Sequence, residues 1–223
     1  MFGRKKRLKF IEENRVSPEE QVYLGLGAVL VDVNSASSLV FKMRGKPKYM
    51  AQIIEAGWGI VDRATALQMI DWLLEQGHVA EYQTEFENFR AGGFKGTSAE
   101  KNADWKELEE DIKTFGSEFT VEYFRNCTTV IAWDFERAAF LARVCHHLGY
   151  LEEREAWEII KERVAPLVRK EDFKDWKEYA VSFLAGRSFC FGANDVDVIL
   201  TTNDLLGEKK EAAVWQESPL SSL

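Results

Sequence analysis

Three successive stretches between residues 132 and 191 place apolar side chains at helical intervals, and this narrows the available folds more than any other feature. Phe135, Ala138, Ala139, Ala142, Cys145 and Leu148 form one stripe, and Ala156, Trp157, Ile160 and Val164 form a second. Phe173, Trp176, Ala180, Phe183 and Leu184 form a third, spaced i, i+3, i+7, i+10 and i+11. Glu118–Phe124 alternates like a strand, but no partner strand exists for it, so a helix is expected there too. The fold class is all-α: one compact domain of about eight helices with an aromatic-rich core.

Start and stop signals divide the rest of the chain. Ser17-Pro18-Glu19-Glu20 reads as a capping box with proline at the first helical position, opening a helix that runs to about Val33 and ends at Asn34-Ser35. Pro47 opens a helix with Met50, Ile53 and Ile54 on its inner face, closing at Gly57-Trp58. Asp62 starts the next, which Gly77 stops in a left-handed conformation. A polar helix follows over about Ala80–Phe89, and then the loop Ala91-Gly92-Gly93-Phe94-Lys95-Gly96. Thr97 or Ser98 caps a charged helix carrying Trp105, Leu108 and Ile112. Pro166 is expected to kink or end the helix that begins near Glu153. Gly186 fits the end of the last long helix, and Asn194–Leu206 adds a short one. This gives a basic flexible leader over residues 1–16, a helical domain over 17–206 and a loose polar tail over 207–223.

Composition limits the function classes. The 223 residues carry 37 acidic against 29 basic side chains, a net charge of −8, which disfavours specific nucleic-acid binding. It suits a basic protein partner instead. Cys127, Cys145 and Cys190 form no Cys-x-x-Cys pair and read as reduced, mostly buried thiols, which points to the cytoplasm. The basic run Arg4–Lys9 is followed by Glu12 and Glu13 rather than an apolar segment, so it does not read as a signal peptide. The apolar run Val22–Val31 is too short to be a transmembrane segment.

Familiar catalytic patterns do not emerge, and no catalytic residue is assigned. The adjacent His146 and His147 diverge on a helix and cannot readily grip one ion, so neither a metal nor a cofactor is expected. His78, just after a helix end, suits an imidazolium at a helix C-terminus. The most informative polar group is Asp134 with Arg137, three residues apart at a helix start. Trp133, Asp134, Arg137, His147, Trp176 and Arg187 are therefore the candidates for a structural cluster or a ligand pocket. In the structural version, Asp134 and Arg137 form a buried ion pair sealed under Trp133 and Trp176.

The segments Ala132-Trp133-Asp134-Phe135-Glu136-Arg137-Ala138-Ala139, Gly149-Tyr150, Ala156-Trp157, Trp176 and Gly186-Arg187 resemble the bacterial domain of unknown function 1266 (DUF1266). Gly57-Trp58 and Leu73–His78 are similar to it as well, extending the likeness over about Ser17–Phe191. The resemblance implies a mostly helical bacterial cytosolic domain, with no established activity attached. The expected function is protein binding, concretely an immunity protein that neutralises a basic toxin. Phe94, Glu107, Glu109, Glu110 and Asp111 are its candidate contact surface. The alternative is an enzyme whose site gathers Asp134, Arg137, His147 and Arg187.

Overall fold

The computed structural model describes residues 2–34, 37–95, 98–192, 196–207 and 213–223. Ser35, Gly96, Thr97 and Asn194, named above as boundary residues, lie outside these. The α-helices are α1 (Phe2–Glu13), α2 (Pro18–Gln21), α3 (Ala28–Val33), α4 (Pro47–Trp58), α5 (Arg63–Glu75), α6 (Val79–Ala91) and α7 (Ala99–Phe115). They continue with α8 (Val121–Asn126), α9 (Ala132–His147), α10 (Glu153–Glu158), α11 (Ala165–Lys170), α12 (Trp176–Phe191), α13 (Val196–Leu206) and α14 (Val214–Glu217). The all-α expectation holds, with more and shorter helices than about eight; among the described residues, β pairing is confined to an isolated bridge between Arg15 and Val40.

Helix α9 is the axis. Every residue from Ala132 to Cys145 is buried, rather than one stripe of it. Helices α3, α5, α10 and α12 pack around it, together with the π-helical turn Ile159–Val164. That turn lies just before Pro166, whose missing N–H and ring bulk disturb the i→i−4 ladder; the chain widens locally and continues into α11 instead of stopping. Asp62 caps α5 in a reciprocal box with Thr65, Ser98 caps α7, and Gly77 is left-handed at φ 61°.

Several sequence expectations are corrected. The stretch from Ser17 to Val33 is not one helix: it breaks at Leu26, which is extended, and Gly27, at φ 78°. A Cβ on Gly27 would lie 2.8 Å from the Phe140 backbone nitrogen, so only glycine lets α3 approach α9 this closely. Ser17 makes no side-chain cap; its hydroxyl instead donates to Glu20 at 3.1 Å. Gly186 does not end α12, which continues to Phe191 and is capped by left-handed Gly192. Its role is contact: a Cβ there would sit 2.6 Å from both Trp133 Cβ and Val130 O.

Both ends of the chain carry further described structure. The N-terminal segment is the helix α1, with Ile11 in the core. At the other end, Ala213, Val214, Trp215 and Leu220 are buried, and Trp215 stacks on Trp176 at 5.3 Å. The two termini meet through Arg15 and Glu217 at 2.7 Å.

Glu136, in the middle of α9, ties these layers together. Its carboxylate accepts the backbone N–H groups of Gly27 (2.9 Å), Val29 (2.7 Å) and Leu30 (3.3 Å) and the Tyr179 hydroxyl (2.9 Å). The donors at the start of α3 have no intrahelical acceptor, and the carboxylate supplies one. Farther along α9, the buried Arg143 donates to the carbonyls of Val40 and Ser37.

Two outcomes follow. Gly186→Ala should lower unfolding stability by about 1–3 kcal/mol through overpacking, read as an earlier denaturation midpoint with an unchanged slope. Burial pushes the Glu136 carboxyl from its ordinary 4.5 up to about 7, against the hydrogen bonds that favour its ionised form. Between those two values the folded chain keeps a proton that the unfolded chain has lost. Stability should therefore fall as pH rises through this window, by roughly 3 kcal/mol, and level off above it. Asp32, whose carboxyl burial also raises, adds slope of the same sign. Glu136→Gln should be less stable at every pH but show a distinctly flatter profile, measured by chemical denaturation at pH 5, 6, 7 and 8.

Candidate functional site

The N-terminal half of α9 projects charged groups toward the turn between α5 and α6. Asp134 pairs through Oδ1 with Arg137 Nη2, and its Oδ2 accepts the Val79 N–H at 2.9 Å, at the start of α6. A carboxylate there satisfies one of the unpartnered donors of a helix N-terminus. Gly77 makes the approach feasible, because a Cβ at that position would collide with the Asp134 carboxylate. Gly77 is thus required twice, for its left-handed backbone and for its missing side chain.

Arg137 is held on several sides and is only 4% exposed. Its Nε donates to the Trp133 carbonyl at 3.0 Å, and Nη2 reaches His78 Nδ1 at 2.7 Å. Guanidinium only donates, so His78 accepts through Nδ1 and carries its ring proton on Nε2. The same nitrogen also lies 3.5 Å from Asp134 Oδ1. The guanidinium lies over the Trp133 ring at 4.3 Å and the Trp58 ring at 5.5 Å. Burial lowers the Arg137 pKa, and the charge of Asp134 opposes that shift.

These groups form one wall of a cavity of about 820 Å³. Leu30 from α3 and Asn34 just after it, Met69 and Trp72 from α5, and Trp133, Arg137 and Phe140 from α9 line it. Arg187 and Phe191 come from the end of α12, and Tyr49, Met50, Ile53, Ile54, Gly57 and Trp58 line the side formed by α4. Arg44 and Lys46 stand on the loop before α4. The rim is open and carries exposed apolar side chains: Tyr49 is 67% exposed, Phe191 62% and Ile53 46%. The Arg187 guanidinium lies over the Trp133 and Phe191 rings, at 5.5 and 5.9 Å.

The sequence candidates divide accordingly. Trp133, Arg137 and Arg187 line the cavity, and Asp134 stands behind Arg137 without lining it. His147 is not among the lining residues; it sits near the Gly45 backbone, and burial lowers its pKa. Trp176 is elsewhere, stacked on Trp215 with its Nε1 donating to the Ser218 carbonyl at 2.7 Å, so the expected seal by Trp176 is replaced by Trp58. Phe94 is half-buried and stacked on Trp105 at 5.0 Å. Glu107 and Glu110 are exposed, Glu109 is paired with Arg125 at 2.9 Å, and Asp111 is half-buried with its carboxyl pushed up by burial.

Sequence reasoning missed Glu136, Trp58, Trp72 and Arg44. An arginine on a loop carries no spacing signature. Gly57-Trp58 was visible, but only as a helix end.

The family model described as "Protein of unknown function (DUF1266)" matches residues 53–220, and the chain belongs to that family. The match begins within α4 and runs beyond α14, taking in the cavity walls from α4, α5, α9 and α12. No curated protein and no solved structure matches the chain. Among the described residues, no group of three or more metal-ligating side chains is present, and no helix is long and apolar enough to cross a membrane.

Removing Asp134 should strand the Arg137 charge and the Val79 N–H together. Asp134→Ala is expected to cost about 3–5 kcal/mol in thermal or chemical unfolding, and Asp134→Asn, which keeps an acceptor for Val79, less. A loss below about 1 kcal/mol for the alanine variant would mean that the pair is well hydrated.

Proposed function

We propose that the protein is a binding module whose site is the cavity between α4 and α9, and that it holds there, without transforming it, a small molecule whose larger part is apolar. One observation carries this reading: the cavity combines the volume of a ligand site with aromatic walls, an open rim and a limited set of polar groups that are mostly cationic. Its described lining residues include no carboxylate and no serine, threonine or cysteine. The single lining histidine, His78, has its Nδ1 occupied by Arg137. The lining groups able to move a proton are thereby reduced to Lys46, Tyr49 and the Nε2 of His78.

The reading of a partner that neutralises a basic protein rests on the overall charge and on α7. Its apolar anchor, Phe94, is packed against Trp105 instead of being presented to a partner. The enzyme reading around Asp134, Arg137, His147 and Arg187 is weakened by the position of two members, Asp134 and His147, off the cavity surface.

Gly57 offers a direct test. It lines the cavity from within α4, and a Cβ there meets nothing within 4 Å. Gly57→Phe should fill the space while raising helix propensity by about 0.5 kcal/mol, so the variant should unfold no earlier than the parent. N-phenyl-1-naphthylamine, an uncharged fluorescent probe, should bind the parent protein at one site and lose that binding in Gly57→Phe. Equal binding by both proteins would place the probe elsewhere and contradict the proposal.

A further inference from the structure

We infer that the molecule held in this cavity is a planar aromatic carboxylate, its ring among the indoles and its carboxylate against Arg137 and Arg187. This rests on the cavity being a ligand site and names the chemistry of what it takes.

The first argument is charge. The chain is acidic, with 37 carboxylates against 29 cations, yet four cations and no carboxylate stand among the described residues lining the cavity. An unselected surface of this protein would carry the opposite sign. The cations are also placed at different depths. Arg44 and Lys46 are exposed near the entrance, Arg187 is half-buried, and Arg137 is at the wall with 4% exposure. An entering anion meets positive charge along its path and ends at the least hydrated cation, where each hydrogen bond is strongest.

The second argument is geometry. The bonds of Arg137 to Asp134, His78 and the Trp133 carbonyl engage Nε and Nη2 and fix the guanidinium plane. Among the described residues, none takes Nη1. A guanidinium anchored from behind in this way presents a preset donor to a carboxylate, and little ordering remains to be done on binding. Asp134 is then a positioning residue: it aims Arg137 and does not touch the ligand.

The third argument is shape. Trp58, Trp72 and Trp133 all face the space, and rings prefer offset-stacked or edge contacts with other rings. A cavity of roughly 150 Å³ accommodates benzene. At about 820 Å³ this one has room for a fused or substituted ring system.

Displacement of N-phenyl-1-naphthylamine from the intact protein tests the inference, using 2-naphthoate, its uncharged counterpart 2-naphthalenemethanol, and decanoate. The carboxylate should bind at least about tenfold tighter than the alcohol, a difference of about 1.4 kcal/mol. Arg187→Met should reduce that preference to less than about threefold. Should this variant fold poorly, Arg44→Gln at the exposed entrance should slow association of 2-naphthoate and leave that of the alcohol unaltered. Equal affinities of the acid and the alcohol would overturn the anionic assignment while leaving the cavity as a binding site. Tighter binding of decanoate than of 2-naphthoate would overturn the aromatic one. Failure of the naphthylamine probe itself to bind would remove the cavity reading as well.

Discussion

A carboxylate buried in the middle of a helix is tolerated only when donors replace the water it has lost, and Glu136 depends on that condition. Left alone, the buried charge would cost several kcal/mol. Four donors converge on it from two other elements: three backbone N–H groups at the start of α3 and the Tyr179 hydroxyl on α12. The dependence is mutual, since those backbone donors are buried and have no helical acceptor of their own. Asp134 and Arg143 repeat the arrangement along α9, with Asp134 accepting from the start of α6 and Arg143 donating to the carbonyls of the segment after α3. The central helix thus organises its neighbours by completing their backbone hydrogen bonding as well as by packing.

The cavity inherits its walls from these bonds. Glu136 sets where α3 presents Leu30 and Asn34, and Asp134 with Arg137 sets the turn that presents His78. Gly186 brings α12 against Trp133, which places Arg187 beside the same indole. Three sides are therefore fixed before any ligand arrives, which lowers the ordering cost of binding. The side contributed by α4 is different in kind: Tyr49 and Ile53 there are largely exposed, and its contribution is surface rather than buried charge.

Local chemistry in the sequence announced much of this fold. Asp62 and Ser98 as caps, Gly77 as a left-handed stop, and the helical stripes of α7 and α12 were all legible because each depends on residues close in sequence. The Asp134–Arg137 pair was legible for the same reason. Glu136 was not, because its partners lie 106 to 109 residues earlier and 43 later. A signal did exist: at 100° per residue, Asp134, Glu136, Arg137 and Arg143 fall within one half of α9, but Trp133, Phe140, Leu141 and Val144 fall among them. Charges interleaved with large apolar residues leave no polar face to offer water, so those charges need partners inside. Gly186 misled because a glycine near an apparent helix end looks like a stop, and only the packing of α12 on Trp133 reveals its other use. The C-terminal segment misled because its polar start hides Val214 and Trp215, which fill the space beside Trp176.

Side chains of α9 hold the first amides of α3 and α6 as firmly as a regular helix holds its interior. Amide hydrogen exchange, followed residue by residue by NMR, reads this directly. The N–H groups of Gly27, Val29, Leu30 and Val79 should exchange only through global unfolding, with protection equal to that of the α9 interior. Rapid exchange at these four amides, at the rate of frayed helix starts, would show that the buried carboxylates do not hold them and would contradict the account.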